Sequence, residues 1–306
     1  MAPTRSAPAA AAPDPGPGPG TARRRAPEPR RRTRRRTRAN PLAGFGAFIW
    51  LLVVGVPVYA LLVATLQRSD RYLESGPLTP PGDPTLENYT KAIENGFLVF
   101  VGNTLLVTAG VVALVVVLAV PVGYAVVRAR TRGTDALFRF FLLGLAIPAQ
   151  AVIIPVYLII RELGLYDTLP AIVLPTAAFA LPVCVLILTG SMRDISDDLY
   201  EAMALDGAGQ VRTFFRLVVP LSRSGISTVA VYAALQAWNN FLFPLILTQS
   251  REQRVITLGL FDFQGQYRVD IPGLLAAVVL SAVPIFVMYL IARRSLVNGL
   301  MGVGGK

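Results

Sequence analysis

The chain alternates between long apolar runs and short polar connections. Six apolar runs stand out, at roughly 43–66, 99–127, 137–160, 169–191, 224–247 and 272–292. Each run has about the 20 residues that a helix needs to cross the hydrocarbon core of a bilayer. The centre of every run lacks Asp, Glu, Lys and Arg. This pattern predicts an all-α membrane protein with six transmembrane helices.

Composition agrees with the pattern and isolates the N-terminal segment. Of the 306 residues, 54% are hydrophobic and 15% are charged, whereas soluble domains average about 25% charged residues. Residues 1–41 hold 11 arginines among Pro, Ala and Gly, and such a segment cannot bury enough apolar surface to fold. We therefore predict a disordered Arg/Pro-rich cytoplasmic tail over residues 1–41.

Two other interpretations of the tail are open. A basic arm can bind nucleic acid, although a tail before a first membrane helix requires no such partner, and we expect none. A twin-arginine export signal is a third reading. The apolar run that follows the tail is too long for a signal peptide, so the run is predicted to be the first transmembrane helix.

The distribution of Lys and Arg predicts the orientation. Basic residues concentrate in the N-terminal tail, in segments 128–139 and 193–223, and at 293–306. Since loops rich in Lys and Arg stay in the cytoplasm, both termini are predicted to be cytoplasmic. The loops at 67–98 and 248–271 then face outward, and the protein is a multi-pass protein of the cytoplasmic (inner) membrane.

Few residues are suited to catalysis or energy coupling. The chain has one cysteine, Cys184, and no histidine, which excludes an intrachain disulfide and a zinc cluster and removes the commonest general base. Ion-coupled carriers usually keep ionisable groups at depth. The deep polar residues here are neutral amides: Asn103, Gln150, Gln236, Asn239 and Asn240.

The loop at 192–222 has the pattern of two helices around a glycine break. Ser196 is a favourable N-cap for a helix that runs to about Leu205. Leu199, Ala202 and Met203 fall on one apolar face of that helix. Gly207 is expected to adopt a positive φ between the two helices.

A second amphipathic helix is predicted after the break. It carries Val211, Phe214, Phe215 and Val218 on one face and is expected to stop at Pro220. An interfacial helix on the membrane is one interpretation, but anionic lipid would repel the acidic first helix. Insertion into a groove on a soluble partner is consistent with both the acidic first helix and the amphipathic second helix of the loop.

These residues resemble a known loop. Glu201-Ala202-Met203, Asp206-Gly207-Ala208, Phe214 and Val219-Pro220-Leu221 are similar to the "EAA" loop of the membrane subunits of binding-protein-dependent ABC importers. The segments "QAWNNFLFPLIL" (236–247), "FQGQY" (263–267) and "RRSLVNGLMGVGGK" (293–306) resemble the carbohydrate, maltose-type branch. The resemblance runs from about Asn88 to Lys306.

The chain departs from the family pattern at three places. Met203 stands where the family usually has Ala, and Arg223 or Ser224 stands where a second proline is common. The ending "GVGGK" varies on the usual glycine-rich terminus. The glutamate and the glycine of the loop are both kept.

The resemblance implies a type I ABC importer transmembrane domain with a division of labour. A separate ABC ATPase dimer would use ATP and Mg, and an extracytoplasmic solute-binding protein would deliver a sugar substrate. A second homologous permease subunit would complete the pathway in the membrane lipid. This chain would then be no enzyme and bind no cofactor itself, since it has no G-x-x-x-x-G-K-[ST] phosphate loop.

The resemblance also divides the chain and assigns its residues. Residues 42–98 would form the first helix and an external loop, 99–293 the transmembrane core, and 294–306 a cytoplasmic C-terminal tail. The 197–218 segment would couple to the ATPase. The residues assigned to that contact are Leu199, Glu201, Ala202, Met203, Asp206, Gly207, Phe214 and Phe215.

A second set of residues is a candidate substrate pathway. Trp238, Asn239 and Asn240, with Gln236, combine an aromatic face with amides, which is chemistry that sugars require. Amides also join membrane helices, and tryptophan is common at interfaces. Two other functions stay open at this point: an ion-independent carrier or channel for a small neutral solute, and a membrane enzyme.

Overall fold

The computed structural model describes residues 41–263 and 270–303, and the side chains of 262–263, 288–289 and 291–303 are outside the description. The described residues form helices and connections, without a strand. The predicted tail disorder, most of "FQGQY" and the last three residues lie outside the described residues. The helices, in order, are α1 Pro41–Thr65, α2 Tyr72–Ser75, α3 Glu87–Ala92, α4 Leu98–Ala129, α5 Arg132–Gly144, α6 Ile153–Glu162, α7 Leu169–Arg193, α8 Asp197–Leu205, α9 Gln210–Thr213, α10 Val219–Leu221, α11 Arg223–Trp238, α12 Leu242–Leu247, α13 Ile256–Gly259 and α14 Ile271–Val303.

The chain divides into two structural units. The first ends at Trp50, and the part of it that the structure describes is the start of α1. The second extends from Leu51 and holds all the other helices. Within the second unit α4, α7 and α11 pack against one another, and α14 packs on α11 and α3.

The core is built from stripes with a spacing of four residues. The buried residues of these stripes are Val107, Val111, Val115 and Ala119 of α4, Ala180, Cys184, Leu188 and Met192 of α7, and Val229, Ala233 and Ala237 of α11. Rows at i, i+4 are the ridges that interdigitate when two helices pack. Small side chains bring the helices close: a Cβ on Gly225 would lie 2.6 Å from the Ser191 hydroxyl oxygen. Glycine therefore fixes the distance between α11 and α7.

Three of the predicted spans are continuous helices. The runs 43–66, 99–127 and 169–191 correspond to α1, α4 and α7, each long and apolar enough to cross a membrane. The run 272–292 falls in α14, whose apolar part with described side chains is the shorter segment Ile271–Val287.

The run 137–160 is not one helix, which corrects that prediction. Helices α5 and α6 meet at a bend of 93°. Pro148 lies between them with extended backbone, φ −71° and ψ 132°. Proline lacks an N–H and disfavours helical backbone at the residue before it, so the helix ends ahead of it.

The run 224–247 is also broken, and for a different reason. Helix α11 ends at Trp238 and α12 begins at Leu242. The Oδ1 atom of Asn240 accepts a hydrogen bond from the Phe243 N–H, in the first turn of α12, at 3.2 Å. Short amides compete with the helical backbone in this way, and two successive asparagines end the helix inside the apolar run.

Candidate functional site

The first half of the 192–222 loop folds as its sequence predicts. The Ser196 hydroxyl accepts a hydrogen bond from the Asp198 N–H at 3.3 Å, which caps α8 at its predicted start. The helix ends at Leu205, and Gly207 has φ 71°. The predicted cap, the end of the helix and the positive φ of Gly207 are all confirmed.

Tyr200 anchors α8 to the body of the protein. It is 4% exposed and belongs to the main core cluster. The guanidinium carbon of Arg128, at the end of α4, lies 5.0 Å from the centre of its ring. Burial raises the pKa of Tyr200, and its hydroxyl has no hydrogen-bond partner in the described part of the chain. The phenol is therefore neutral, and its ring makes the contact.

The predicted apolar face of α8 points away from the protein. Leu199 and Ala202 are exposed and Met203 is half-buried, while Leu205 at the end of the helix is 89% exposed. Glu201 is exposed and has no basic side chain within 4.0 Å among the described residues. An exposed apolar strip of this kind is typical of a surface that binds a second protein or a membrane.

The second half of the loop departs from the prediction. Phe214–Val218 is a π-helical turn between α9 and α10. The wider turn separates the predicted apolar face: Val218 is buried and Phe214 half-buried, whereas Val211 and Phe215 are exposed. Pro220 lies within α10 and does not stop the helix, which ends one residue later at Leu221. The π turn precedes the proline, where a regular α turn would bring the proline ring against a carbonyl.

Phe214 makes a second contact between the loop and α4. Its ring centre lies 5.5 Å from that of Tyr124 and 4.9 Å from that of Phe215. Both halves of the loop thus pack on the last turns of α4, through Arg128 and Tyr124. The exposed apolar residues that remain form what we call the loop face, which consists of Leu199, Leu205, Val211 and Phe215.

Charged groups surround the base of α8. Arg130 and Asp197 form an ion pair at 3.4 Å with both side chains largely exposed, so its contribution to stability is small. A cleft of about 290 Å³ lies beside this pair. Its lining is Val126, Val127, Arg128, Arg130, Asp135, Arg193, Ile195, Asp197 and Tyr200. Three guanidinium groups against two carboxylates make the lining of this cleft basic.

The predicted pathway residues occupy different environments. Gln236 and Asn239 are exposed, while Trp238 is buried with Ala92, Phe97, Ile256 and Ala277. Asn240 donates its amide N–H to the Thr176 hydroxyl at 2.8 Å. The exposed Asn239 donates its amide N–H to the Leu235 carbonyl oxygen at 2.9 Å. The sugar-contact role of these four residues stays a prediction.

At the other end of α4, side chains hold the 248–256 segment. Asn103 donates to the carbonyl oxygens of Glu252 at 2.7 Å and Arg254 at 2.9 Å. The Thr104 hydroxyl accepts from the Ile256 N–H at 2.9 Å. Helix α4 consequently contacts the 192–222 loop at one end and the 248–256 segment at the other.

A carboxylate clamp ties the same segment to the α6–α7 connection. Asp167 has φ 60°, and its Oδ1 accepts from the N–H groups of Gln249 at 2.8 Å and Ser250 at 2.9 Å. The hydrogen bond from the Gln249 N–H is the largest cause of a lowered pKa of Asp167, and the bond from the Ser250 N–H lowers it further. Aspartate tolerates left-handed backbone better than most residues, so the residue suits both the turn and the clamp.

Several of these residues escape sequence reasoning. Tyr200 carried no signal except an aromatic ring inside a polar loop, and Arg128 counted only as one more basic residue in a cytoplasmic segment. Thr176 lies inside an apolar run with nothing to single it out.

No group of three His, Cys, Asp or Glu that could hold a metal ion occurs in the part of the chain that the structure describes.

Comparisons with known proteins agree with this geometry. Residues 115–296 match the family described as "Binding-protein-dependent transport system inner membrane component". The chain is 31% identical over 253 residues to the diacetylchitobiose uptake system permease protein NgcG of Streptomyces coelicolor, covering 80% of this chain and 82% of that one. It is 30% identical over 269 residues to the sulfoquinovosyl glycerol transport system permease protein SmoH of Agrobacterium fabrum, covering 87% and 94%.

A solved structure shows the same fold. A chain of a bacterial ABC transporter involved in the import of the acidic polysaccharide alginate superposes with a TM-score of 0.75. The superposition covers 83% of this chain and 95% of that chain at 18% sequence identity. At that identity the likeness establishes the architecture alone.

Proposed function

The chain belongs to the inner-membrane component family of binding-protein-dependent transport systems, and from that premise we propose that it is a permease subunit of an ABC importer for a sugar or oligosaccharide. Relatives named for diacetylchitobiose and sulfoquinovosyl glycerol support the substrate class. The observation that carries the proposal is the 192–222 loop, which anchors a short helix and leaves its apolar strip exposed.

The loop face is proposed to dock in a cleft of a separate ABC ATPase. Leu199, Leu205, Val211 and Phe215 supply the apolar contact, and burying such side chains stabilises a complex in proportion to the area removed from water. Glu201 is exposed beside them and is available for a basic group of the partner. ATP and Mg would act on that ATPase, and this chain would bind neither.

Helix α4 is proposed to carry the movement across the membrane. Docking at the loop pushes on α4 through Tyr200 and Phe214. The far end of the helix holds the 252–256 backbone through Asn103 and Thr104. A packed helix that contacts two segments transmits a shift of one to the other as a rigid element. The 248–256 segment would then respond to the nucleotide state of the ATPase.

The orientation follows from the same proposal. The 192–222 loop and both termini lie in the cytoplasm with the ATPase, while the segments at 67–98 and 248–271 face the solute-binding protein. A second homologous permease subunit completes the pathway. The alternative, a carrier or channel that works without ATP, leaves the exposed loop face without a role.

Purification of the tagged chain in mild detergent tests the proposal. We expect an ABC ATPase and a second permease to co-purify with it, and we expect reconstituted complex to take up sugar only when ATP and a solute-binding protein are supplied. A chain that transports sugar in proteoliposomes by itself would contradict the proposal.

A further inference from the structure

Two depressions meet where the end of α4, the start of α5, the end of α7 and the start of α8 come together. The first is the cleft of about 290 Å³ at the base of α8. The second is a groove of about 370 Å³ along α5, and its lining is Arg132, Asp135, Ala136, Arg139, Phe140 and Leu143. Asp135 lines both depressions, so they adjoin. We call the two linings together the junction surface.

Arginine dominates the charge of the junction surface. Five guanidinium groups line it against two carboxylates: Arg128, Arg130, Arg132, Arg139 and Arg193 against Asp135 and Asp197. All five arginines are exposed. Among the described residues, Arg130 is the only one of the five in an ion pair, with Asp197 at 3.4 Å. The surface is therefore positive and favours an anionic ligand.

The groove changes from charged to apolar along α5. Its lining residues follow the i, i+3, i+4 spacing of a single helix face. Arg132 and Arg139 lie in the first part of that face, and Phe140 and Leu143, which are 70% and 67% exposed, lie beyond them. None of the residues of α5, all of which the structure describes, is buried. At about 1.5 Å per residue the face extends about 16 Å from Arg132 to Leu143.

A cationic end and an apolar end on one helix face match the two parts of a phospholipid. Guanidinium groups bind phosphate oxygens through paired N–H donors. Apolar side chains at membrane depth pack on acyl chains, which a soluble phosphate lacks. Basic pockets between membrane helices on the cytoplasmic side bind anionic headgroups, and the proposed orientation places the junction surface on that side. The apolar half of the groove therefore favours a lipid over a free anion.

We propose that the junction surface binds an anionic phospholipid, with the headgroup at Arg132 and Arg139 and the acyl chains along Phe140 and Leu143. The adjoining cleft is lined by Asp197 and Tyr200 of α8, so the lipid would lie next to the base of the helix that we propose to meet the ATPase. The inference goes beyond the proposed function, because it depends on the place of the chain in a membrane and not on what the chain transports.

Cysteine labelling at Ala136, inside the groove, tests the site. The full chain with Cys184→Ser and Ala136→Cys is purified in a neutral detergent and freed of lipid, and its reaction with a maleimide is timed. Dioleoyl phosphatidylglycerol should slow the reaction severalfold, whereas dioleoyl phosphatidylcholine or inorganic phosphate should not. Ala204→Cys, at an exposed position that lines neither depression, is the control and should react equally in all conditions. Equal protection by both lipids, or by phosphate, would overturn the proposal.

Two pairs of arginine substitutions separate the site from general charge attraction. The arginines of residues 1–41 also attract anionic lipid, but they are the same in every variant. Arg132→Gln with Arg139→Gln should abolish the protection of Ala136→Cys. Arg216→Gln with Arg223→Gln removes two exposed arginines that line neither depression and should leave the protection unchanged. The same loss in both pairs would overturn the site.

Two pairs of apolar substitutions test the lipid as the occupant. Phe140→Ala with Leu143→Ala should reduce the protection by phosphatidylglycerol severalfold. Leu106→Ala with Leu118→Ala removes two exposed side chains of α4 outside the groove and should leave the protection as it is. Full protection of the Phe140→Ala, Leu143→Ala chain would show that the groove holds no acyl chain and would contradict the proposal.

The assembled importer shows whether a partner subunit covers the junction surface. With the ATPase bound, Ala136→Cys should react in nanodiscs of phosphatidylcholine and be protected in nanodiscs that contain phosphatidylglycerol. A cysteine that is unreactive in both would place a protein subunit over the groove and overturn the inference. An importer that takes up no sugar would contradict the proposed function and leave the lipid site standing, so the two failures are distinguishable.

Discussion

The guanidinium carbon of Arg128 lies 5.0 Å above the ring of Tyr200. Arg128 is at the end of a helix that crosses the core of the protein, and Tyr200 is the one buried residue of α8. The contact places α8, which we propose to meet the ATPase, directly on α4. Helix α4 reaches the opposite end of this unit, where it holds the 248–256 segment. A cation over an aromatic face contributes about 0.5–1 kcal/mol at an exposed site, and burial of the ring adds to this.

Tyr200 should act through its ring and not through its hydroxyl. Tyr200→Phe keeps the contact with Arg128 and removes a hydroxyl that has no partner in the described chain, so sugar uptake should stay at the wild-type level. Tyr200→Ala leaves a cavity, a change that costs about 3–5 kcal/mol for large aromatic residues in cores, and should reduce uptake at least tenfold at equal permease abundance. Equal uptake by the two variants would show that α8 does not need this anchor.

Gly207 and Gly209 are a matched pair of positions that differ in backbone conformation but not in the room available for a side chain. An added Cβ would meet no atom within 4 Å at either position. Gly207 has φ 71° and Gly209 has φ −70°, and a left-handed residue with a Cβ costs about 1–2 kcal/mol. We expect Gly207→Ala to weaken ATPase co-purification and Gly209→Ala to leave it unchanged. The same effect at both positions would argue against the positive φ as the cause.

Asp167 should make stability depend on acid pH. Its pKa is lowered in the folded protein by the N–H groups of Gln249 and Ser250. A depressed carboxyl pKa stabilises the fold above the unfolded value, near 3.8, and the stabilisation is lost as pH falls through the lower folded value. Thermal unfolding in detergent should show wild type more stable than Asp167→Asn above about pH 4, with the difference shrinking below it. A difference that is constant with pH would contradict the clamp.

Cysteine labelling tests the proposed orientation of the chain in the membrane. In a Cys184→Ser background, a cysteine in place of Asp83 should react with an impermeant reagent added to intact cells. A cysteine in place of Arg216, in the 192–222 loop, should react only after the cells are opened. The reverse result would place the loop outside and remove it from the ATPase.

Much of the fold follows from apolar length alone, and the rest depends on individual side chains. Helices α1, α4 and α7 are uninterrupted apolar runs, so their prediction needed no more than counting. The breaks at Pro148 and at Asn239–Asn240 depend on how a missing N–H and a capping amide compete with a helix. Counting apolar residues takes no account of that competition, although Pro148, Asn239 and Asn240 are plain in the sequence.

The candidate site divides in the same way. Ser196 and Gly207 act on their own neighbours in the chain, so local rules predict the cap and the positive φ. The burial of Tyr200 and the π turn at Phe214 depend on where α4 lies, which the sequence of the loop does not contain.

ATP-dependent sugar uptake by Gly207→Val tests the central claim most directly. The full importer is reconstituted with wild-type or variant permease at equal amounts, and uptake of the labelled sugar is measured alongside ATPase co-purification. A β-branched residue resists positive φ, at a cost of about 1–3 kcal/mol, and the loop lies outside the helices that carry insertion. We predict normal permease abundance, uptake close to zero and ATPase that is either lost or uncoupled. Wild-type uptake by Gly207→Val would contradict the account, because the loop would then be an ordinary connection.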